Sequence, residues 1–124
     1  MHIDPTGEQV SAFAERDDDM PVFMLNLLRF KPDGGAESYA TYAAATAPHL
    51  RRVGGEIVWS GACDTALIGP GEPEWDVAAV VRYPSRARFL EMVGDPEYQA
   101  ITHHRTGALV DSRLIPCAGT VLGA

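Results

Sequence analysis

Five side chains carry the chemistry that a small-molecule site would need: Asn26, Trp59, Arg82, His104 and Arg105. Asn26 interrupts the apolar run Val22–Phe30 (VFMLNLLRF). A buried carboxamide must find partners or cost about 1–3 kcal/mol. Asn26 therefore either bonds the backbone of a loop or bulge, or orients a ligand carbonyl or oxyanion. Arg105 follows Tyr98 and Ile101 at helical spacing, which turns it inward. A buried guanidinium demands a carboxylate, several carbonyls or an anionic ligand. His104 is a candidate general base, and His103 reads as a surface residue. Trp59 and Trp75 fall on adjacent strands and either pack in the core or dimer contact, or line a flat aromatic pocket. Arg82 shares strand parity with Asp76. None of these residues is assigned a catalytic role.

Other chemistries are disfavoured. Neighbouring residues on a helix diverge by about 100°, so His103 and His104 do not easily chelate one metal ion. No metal site and no cofactor are expected. A nucleophile elbow, a phosphate loop and a dinucleotide fingerprint are all missing from the sequence. The net charge of −7 opposes both nucleic acids and anionic membranes. Cys63 and Cys117, far apart and without Cys-x-x-Cys spacing, read as buried free thiols of a reducing compartment. No apolar run approaches the ~20 residues of a membrane span, and Met1–Pro5 lacks the character of a signal peptide. A cytoplasmic protein is the expectation.

The elements that must position these residues are legible in outline. With 124 residues, 46% hydrophobic and 22% charged, the chain fits one domain with an adequate core. Asp4-Pro5 reads as N-cap and first residue of a short helix, ended by Asp17-Asp18-Asp19; residues 1–20 form this helix and its loop. Residues 21–124 form the main domain. Val22–Phe30 is a strand apolar on both faces. Tyr39, Tyr42, Thr46, Leu50 and Val53 recur at helical intervals, with a kink expected at Pro48. Glu56–Gly69 reads as a long strand with Ile57, Trp59, Cys63 and Leu67 on one parity. Trp75–Tyr83 follows as its hairpin partner. A helix follows Pro84-Ser85, a second helical piece follows Asp95-Pro96, and Leu114–Val121 supplies the last strand. The order predicts an α+β, ferredoxin-like βαββαβ unit with a four-stranded antiparallel sheet and an extra N-terminal helix. Its helices cover one sheet face only, so the second apolar face calls for another copy of the chain and a homodimer.

The ordered set Asn26-Leu27-Leu28-Arg29-Phe30, Tyr39 with Tyr42, Gly54-Gly55, Tyr83-Pro84-Ser85 and Asp95-Pro96-Glu97-Tyr98-Gln99 resembles the uncharacterised-domain family numbered 1330, over roughly residues 20 to 117. The resemblance implies a dimeric α+β barrel and no particular activity. Two functions stay open. One is binding of a small organic metabolite, anionic or aromatic, between sheet and helices. The other is a cofactor-independent enzyme of oxygenase or isomerase type, as found elsewhere in that superfamily.

Overall fold

The computed structural model describes residues 1–119. The elements follow the order α1 (Gly7–Glu15), β1 (Val22–Phe30), α2 (Gly35–Arg52), β2 (Glu56–Ala62), β3 (Val77–Tyr83), α3 (Arg86–Val93), α4 (Pro96–Gln99), α5 (His103–Thr106) and β4 (Leu109–Cys117). The four strands make one antiparallel sheet in the order β2-β3-β1-β4. This is the ferredoxin-like α+β arrangement with an added N-terminal helix.

The sheet is asymmetric in its covering. On β1, Val22, Met24 and Leu28 alternate inward and are almost fully buried, as the period of two requires. They meet Tyr42 and Val53 of α2 or its C-cap, Met92 of α3 and Tyr98 of α4. A second cluster joins Leu28 to Ala108 and Leu109, with Tyr39, Phe30 and Ile3 packed around it. Phe23, Leu25 and Leu27 point to the opposite face, where no buried residue covers them.

Capping sets several boundaries. The Thr6 hydroxyl accepts from the Gln9 N–H while Gln9 Oε1 accepts from the Thr6 N–H, a reciprocal capping box. Asp4-Pro5 is therefore not the cap of α1. Ser85 and Asp95 cap α3 and α4 through their side-chain oxygens, as their positions before the helical runs suggest. α1 docks on α3 through Phe13, whose ring lies 5.3 Å from that of Phe89 and beneath the Arg86 guanidinium at 4.5 Å.

Three strands differ from the sequence reading. β2 ends at Ala62, because Asp64–Glu74 breaks away as a loop closed by the Cys63 N–H to the Asp76 carbonyl. A register shift between Ile57 and Trp59 sets these two on opposite faces, although their spacing gives them one parity. β3 begins at Val77 rather than Trp75. β4 starts five residues early, at Leu109, and ends at Cys117; of the rest of the expected strand, Ala118 and Gly119 are not paired in the sheet, and Thr120 and Val121 lie outside the described residues. α2 continues helically through Pro48. Both cysteines are free; Cys117 is exposed and Cys63 only half-buried, because each sits at a strand end and not under the helices.

The entry to α2 depends on a close approach. A Cβ on Gly35 would stand 2.6 Å from the Ala108 carbonyl oxygen, which already accepts from the Lys31 N–H at 2.8 Å. Gly35→Ala should therefore lower the unfolding free energy by about 1–3 kcal/mol, an overpacking cost. Gly71, with open space around it, should accept Ala within about 0.5 kcal/mol. Paired urea melts of the two variants check this, and equal effects would remove the close-approach argument.

Candidate functional site

The sheet divides the five sequence candidates between its faces. Asn26 pairs with Ala79 and Leu114 and shares the helix-covered side with Met24 and Leu28. Arg105 and His104 belong to α5, on that same side. Trp59 pairs with Val80, and Arg82 with Phe23, so both stand on the open face. Trp59 is 56% exposed there. No single pocket can hold all five.

The helix-covered side is unusually rich in phenols. Tyr39 and Tyr42 on α2, Tyr83 at the end of β3 and Tyr98 on α4 converge. The Tyr42 and Tyr98 hydroxyls share a hydrogen bond of 2.6 Å, and the Tyr39 and Tyr42 rings lie 5.3 Å apart. Burial, reinforced by the Tyr42 phenol, pushes Tyr39 up to about 12. The same two causes push Tyr83 and Tyr98 further still above the ordinary tyrosine range. Tyr39, Tyr83 and Tyr98 stay protonated at neutral pH, so they can donate hydrogen bonds to an acceptor but do not act as bases.

Two polar groups among them are incompletely used. Thr46, one turn beyond Tyr42 on α2, has a buried hydroxyl oxygen with no hydrogen-bond partner. Asn26 uses its amide nitrogen to donate to the Met24 carbonyl on its own strand at 3.2 Å, and is only partly buried. Across the sheet, Ser60, Ala79 and Asn26 form one row on this side. Ala79 is small and half-buried, and Ser60 is exposed. The row runs from Asn26 towards the β2 edge of the sheet, with a polar side chain at each end.

His49 completes the interior. It is buried, its ring lies 6.0 Å from that of Tyr98, and its Nδ1 is 2.9 Å from Arg52 Nη2. A guanidinium only donates, so Nδ1 is the acceptor and the ring proton sits on Nε2. Arg52 in turn holds Asp95 at 2.7 Å. Composition and motif spacing gave no hint of His49, and Thr46 entered only as a member of the helical stripe of α2. The usable signal was helical position, since both fall on the Tyr42 face of α2.

Arg105 is mostly buried, as its helical spacing implies, with its side chain 15% exposed. Its Nη1 donates to the Ile3 carbonyl at 2.7 Å and reaches Asp4 only at 3.9 Å. The guanidinium therefore stitches the N-terminal segment to α5. Its charge still reaches Tyr39 and Tyr98, where it opposes the upward shifts caused by burial. The His104 carbonyl accepts from the Ser38 hydroxyl at 2.8 Å, which ties α5 to the start of α2. The His103 and His104 rings do not diverge but lie 4.0 Å apart, because α5 is a single turn. Among the described residues, no group of three or more His, Cys, Asp or Glu side chains is placed to hold a metal ion. No described helix is long and apolar enough to cross a membrane.

The open face is apolar at its centre. One row, Trp59–Val80–Leu25–Ile115, crosses all four strands, with Ala78 and Leu27 in the next. Charged pairs flank it: Glu56 opposite Arg82 at one end, Arg29 opposite Asp111 at the other.

This fold has relatives. Residues 34–117 match the model of the domain of unknown function DUF1330, and the chain belongs to that family. It is similar to the RPA0582 protein of unknown function from Rhodopseudomonas palustris, with 42% identity, coverage of 96% of this chain and 97% of that one, and a TM-score of 0.90. More distant likenesses share the fold alone. One is a dimeric ferredoxin-like protein of unknown function from Thermobifida fusca, with 15% identity, coverage of 81% and 92%, and a TM-score of 0.57. Another is the hydroxynitrile lyase of Passiflora edulis, with 14% identity, coverage of 86% and 99%, and a TM-score of 0.60. No curated protein matches.

The phenol interior has a pH consequence. A tyrosine whose folded pKa lies above its unfolded value of about 10 adds stability that is complete below pH 10 and lost as the pH rises towards the folded value. The unfolded chain releases its proton first, so stability should fall between pH 10 and about 12, where Tyr39 titrates. Tyr39→Phe should make that fall shallower without removing it, because Tyr83 and Tyr98 are raised as well, and chemical melts at pH 9, 10.5 and 11.5 measure it.

Proposed function

We propose that the protein is a homodimeric binding protein for a small organic molecule bearing a carbonyl or carboxylate oxygen, held on the helix-covered side of the sheet. The observation that carries this reading is the Thr46 hydroxyl, buried without a partner one helical turn from Tyr42. Such a group costs about 1–3 kcal/mol and needs a reason. A ligand oxygen is one, and the Asn26 carboxamide on the same side of the sheet offers a second polar group. The phenol rings suit an aromatic or flat body, and the Arg105 charge favours an anionic end. Self-association rests on the open apolar row and its charged flanks, which together have the anatomy of an interface, and the Thermobifida fusca protein of the same fold is described as dimeric. The free thiols suit the reducing interior of a cell.

A thermal-shift screen against small aromatic and aliphatic carboxylates tests the binding. A ligand at 100 times its dissociation constant stabilises by about 2.7 kcal/mol. Thr46→Val sharpens the test, because it removes the orphan hydroxyl at nearly constant shape. The free protein should become more stable by about 1 kcal/mol or more, while the shift given by a hit shrinks. A variant that loses stability and binds as before would refute the reading. Sedimentation at micromolar concentration tests the dimer.

A second reading, a cofactor-independent enzyme of oxygenase or isomerase type, is favoured by His49 alone. It is a buried imidazole with a fixed tautomer beside Tyr98. Turnover of a bound carbonyl compound that disappears in His49→Gln, with binding retained, would establish it.

A further inference from the structure

The segment Met1–Asp4, ahead of α1, is tied down on β4 and α5. The His2 N–H donates to Asp111 Oδ1 at 2.8 Å, the Ser112 hydroxyl donates to the His2 carbonyl at 2.6 Å, and Arg105 Nη1 donates to the Ile3 carbonyl at 2.7 Å. Met1, His2 and Asp4 are exposed, and Ile3 alone goes half under cover, against the cluster of Leu28, Ala108 and Leu109. A segment with one apolar anchor belongs to the low end of local stability. What it covers is a poorly served charge. The Arg105 side chain is 15% exposed, and a charge taken out of water is ordinarily paired with an opposite one. Among the described residues, the one acceptor within bonding distance of its guanidinium is the neutral Ile3 carbonyl; the Asp4 carboxylate stands at 3.9 Å, too long for a hydrogen bond. Tyr39 packs on the same cluster as Ile3, and the Arg105 charge is near enough to pull its phenol down against the push of burial. Unlike those of Tyr42 and Tyr98, its hydroxyl makes no hydrogen bond among the described residues.

We infer that Met1–Asp4 is a displaceable strap over an anion site at Arg105, and that the occupant of the site is a short branched-chain carboxylate. This rests on the reading above that Arg105 draws in the anionic end of a ligand, and adds what guards that end and what shape enters. The strap is its own template. Ile3 presents a carbonyl oxygen to Arg105 and a branched apolar side chain to Leu28, Ala108 and Leu109. The anion 3-methylpentanoate carries the same apolar body on a carboxylate, so it reproduces both contacts. It also exchanges a neutral acceptor for a charged one, which makes the stronger bond to a guanidinium. The Tyr39 hydroxyl is a donor for the second carboxylate oxygen. Entry of the ligand lifts the strap, so the apparent affinity is the intrinsic one reduced by the fraction of molecules in which the strap is open.

Calorimetric titration of the full chain with 3-methylpentanoate at neutral pH, wild type against Ser112→Ala, tests the strap. Ser112 holds the strap at the His2 carbonyl and is not among the groups offered to the ligand. Losing its hydroxyl loosens the cover and should tighten binding about fivefold, a gain that misfolding cannot imitate. Arg105→Gln should weaken binding by at least about tenfold in both backgrounds. Hydrogen exchange in the wild type gives a second readout. Ligands generally slow exchange, but the His2 amide, bonded to Asp111 in the closed strap, should exchange faster when 3-methylpentanoate is added. Equal affinity in wild type and Ser112→Ala, or a His2 amide that is not accelerated, overturns the strap and leaves an anion site at Arg105 standing. Binding that Arg105→Gln does not weaken overturns the site itself. If 3-methylpentanoate binds neither protein, the whole inference falls, while other carboxylates that stabilise the chain in the thermal-shift screen would keep the wider reading.

Discussion

A four-stranded sheet with its helices on one side must leave the other side bare, and the central strand β1 is apolar on both. That mismatch organises the rest. On the helix side, Val22, Met24 and Leu28 disappear into the core. On the open side, Phe23, Leu25 and Leu27 lie in rows that extend through Val80, Ala78 and Ile115 with no cover in the chain itself. A bare apolar face of this extent is what monomeric proteins avoid. The fold is therefore complete as a hydrophobic object only when something flat and apolar lies against it.

The constraint also separates two kinds of chemistry. Residues that can recognise a small polar molecule, Asn26, Thr46 and the phenols, lie on the helix side. Trp59 and Arg82 lie on the other, where large side chains suit contact between surfaces. One strand register decides this. Between Ile57 and Trp59 the pairing slips, so that Ile57 follows Val81 to the helix side of the sheet while Trp59 follows Val80 to the open side. Without that slip Trp59 would stand on the helix side with Ile57.

The sequence made the architecture legible wherever local patterns and global packing agree. The strand Val22–Phe30, the α2 face, the Ser85 and Asp95 caps and the β2–β3 hairpin all follow from alternation, helical spacing or turn chemistry. What was not legible depends on partners distant in the chain. β4 begins at Leu109 because Leu109 pairs back to Phe30, which its own neighbours do not announce. Trp59 changed sides through a bulge that period-two counting cannot see. Arg105 was read as inward, and it is. Its partner, the Ile3 carbonyl, is 102 positions away and a backbone group, so no side-chain pattern names it. The candidate site was visible only at Asn26; Thr46 and His49 looked like ordinary members of a helix until the fold placed them among the phenols.

The stability of such an interior bears on its use. Neutral phenols that share hydrogen bonds with one another satisfy themselves cheaply, as Tyr42 and Tyr98 do. A threonine hydroxyl inside a helix has an equally cheap remedy in the carbonyl one turn back. Thr41 takes it, donating to Glu37 at 3.2 Å, and so does Thr106, donating to Thr102 at 3.2 Å. Thr46 does not. Helical backbone is thus not what prevents the bond, because the same chain makes it twice elsewhere. The hydroxyl is held away from that remedy in a region where valine would pack as well and cost less. A side chain that is locally the wrong choice for stability is the kind of departure that functional sites impose.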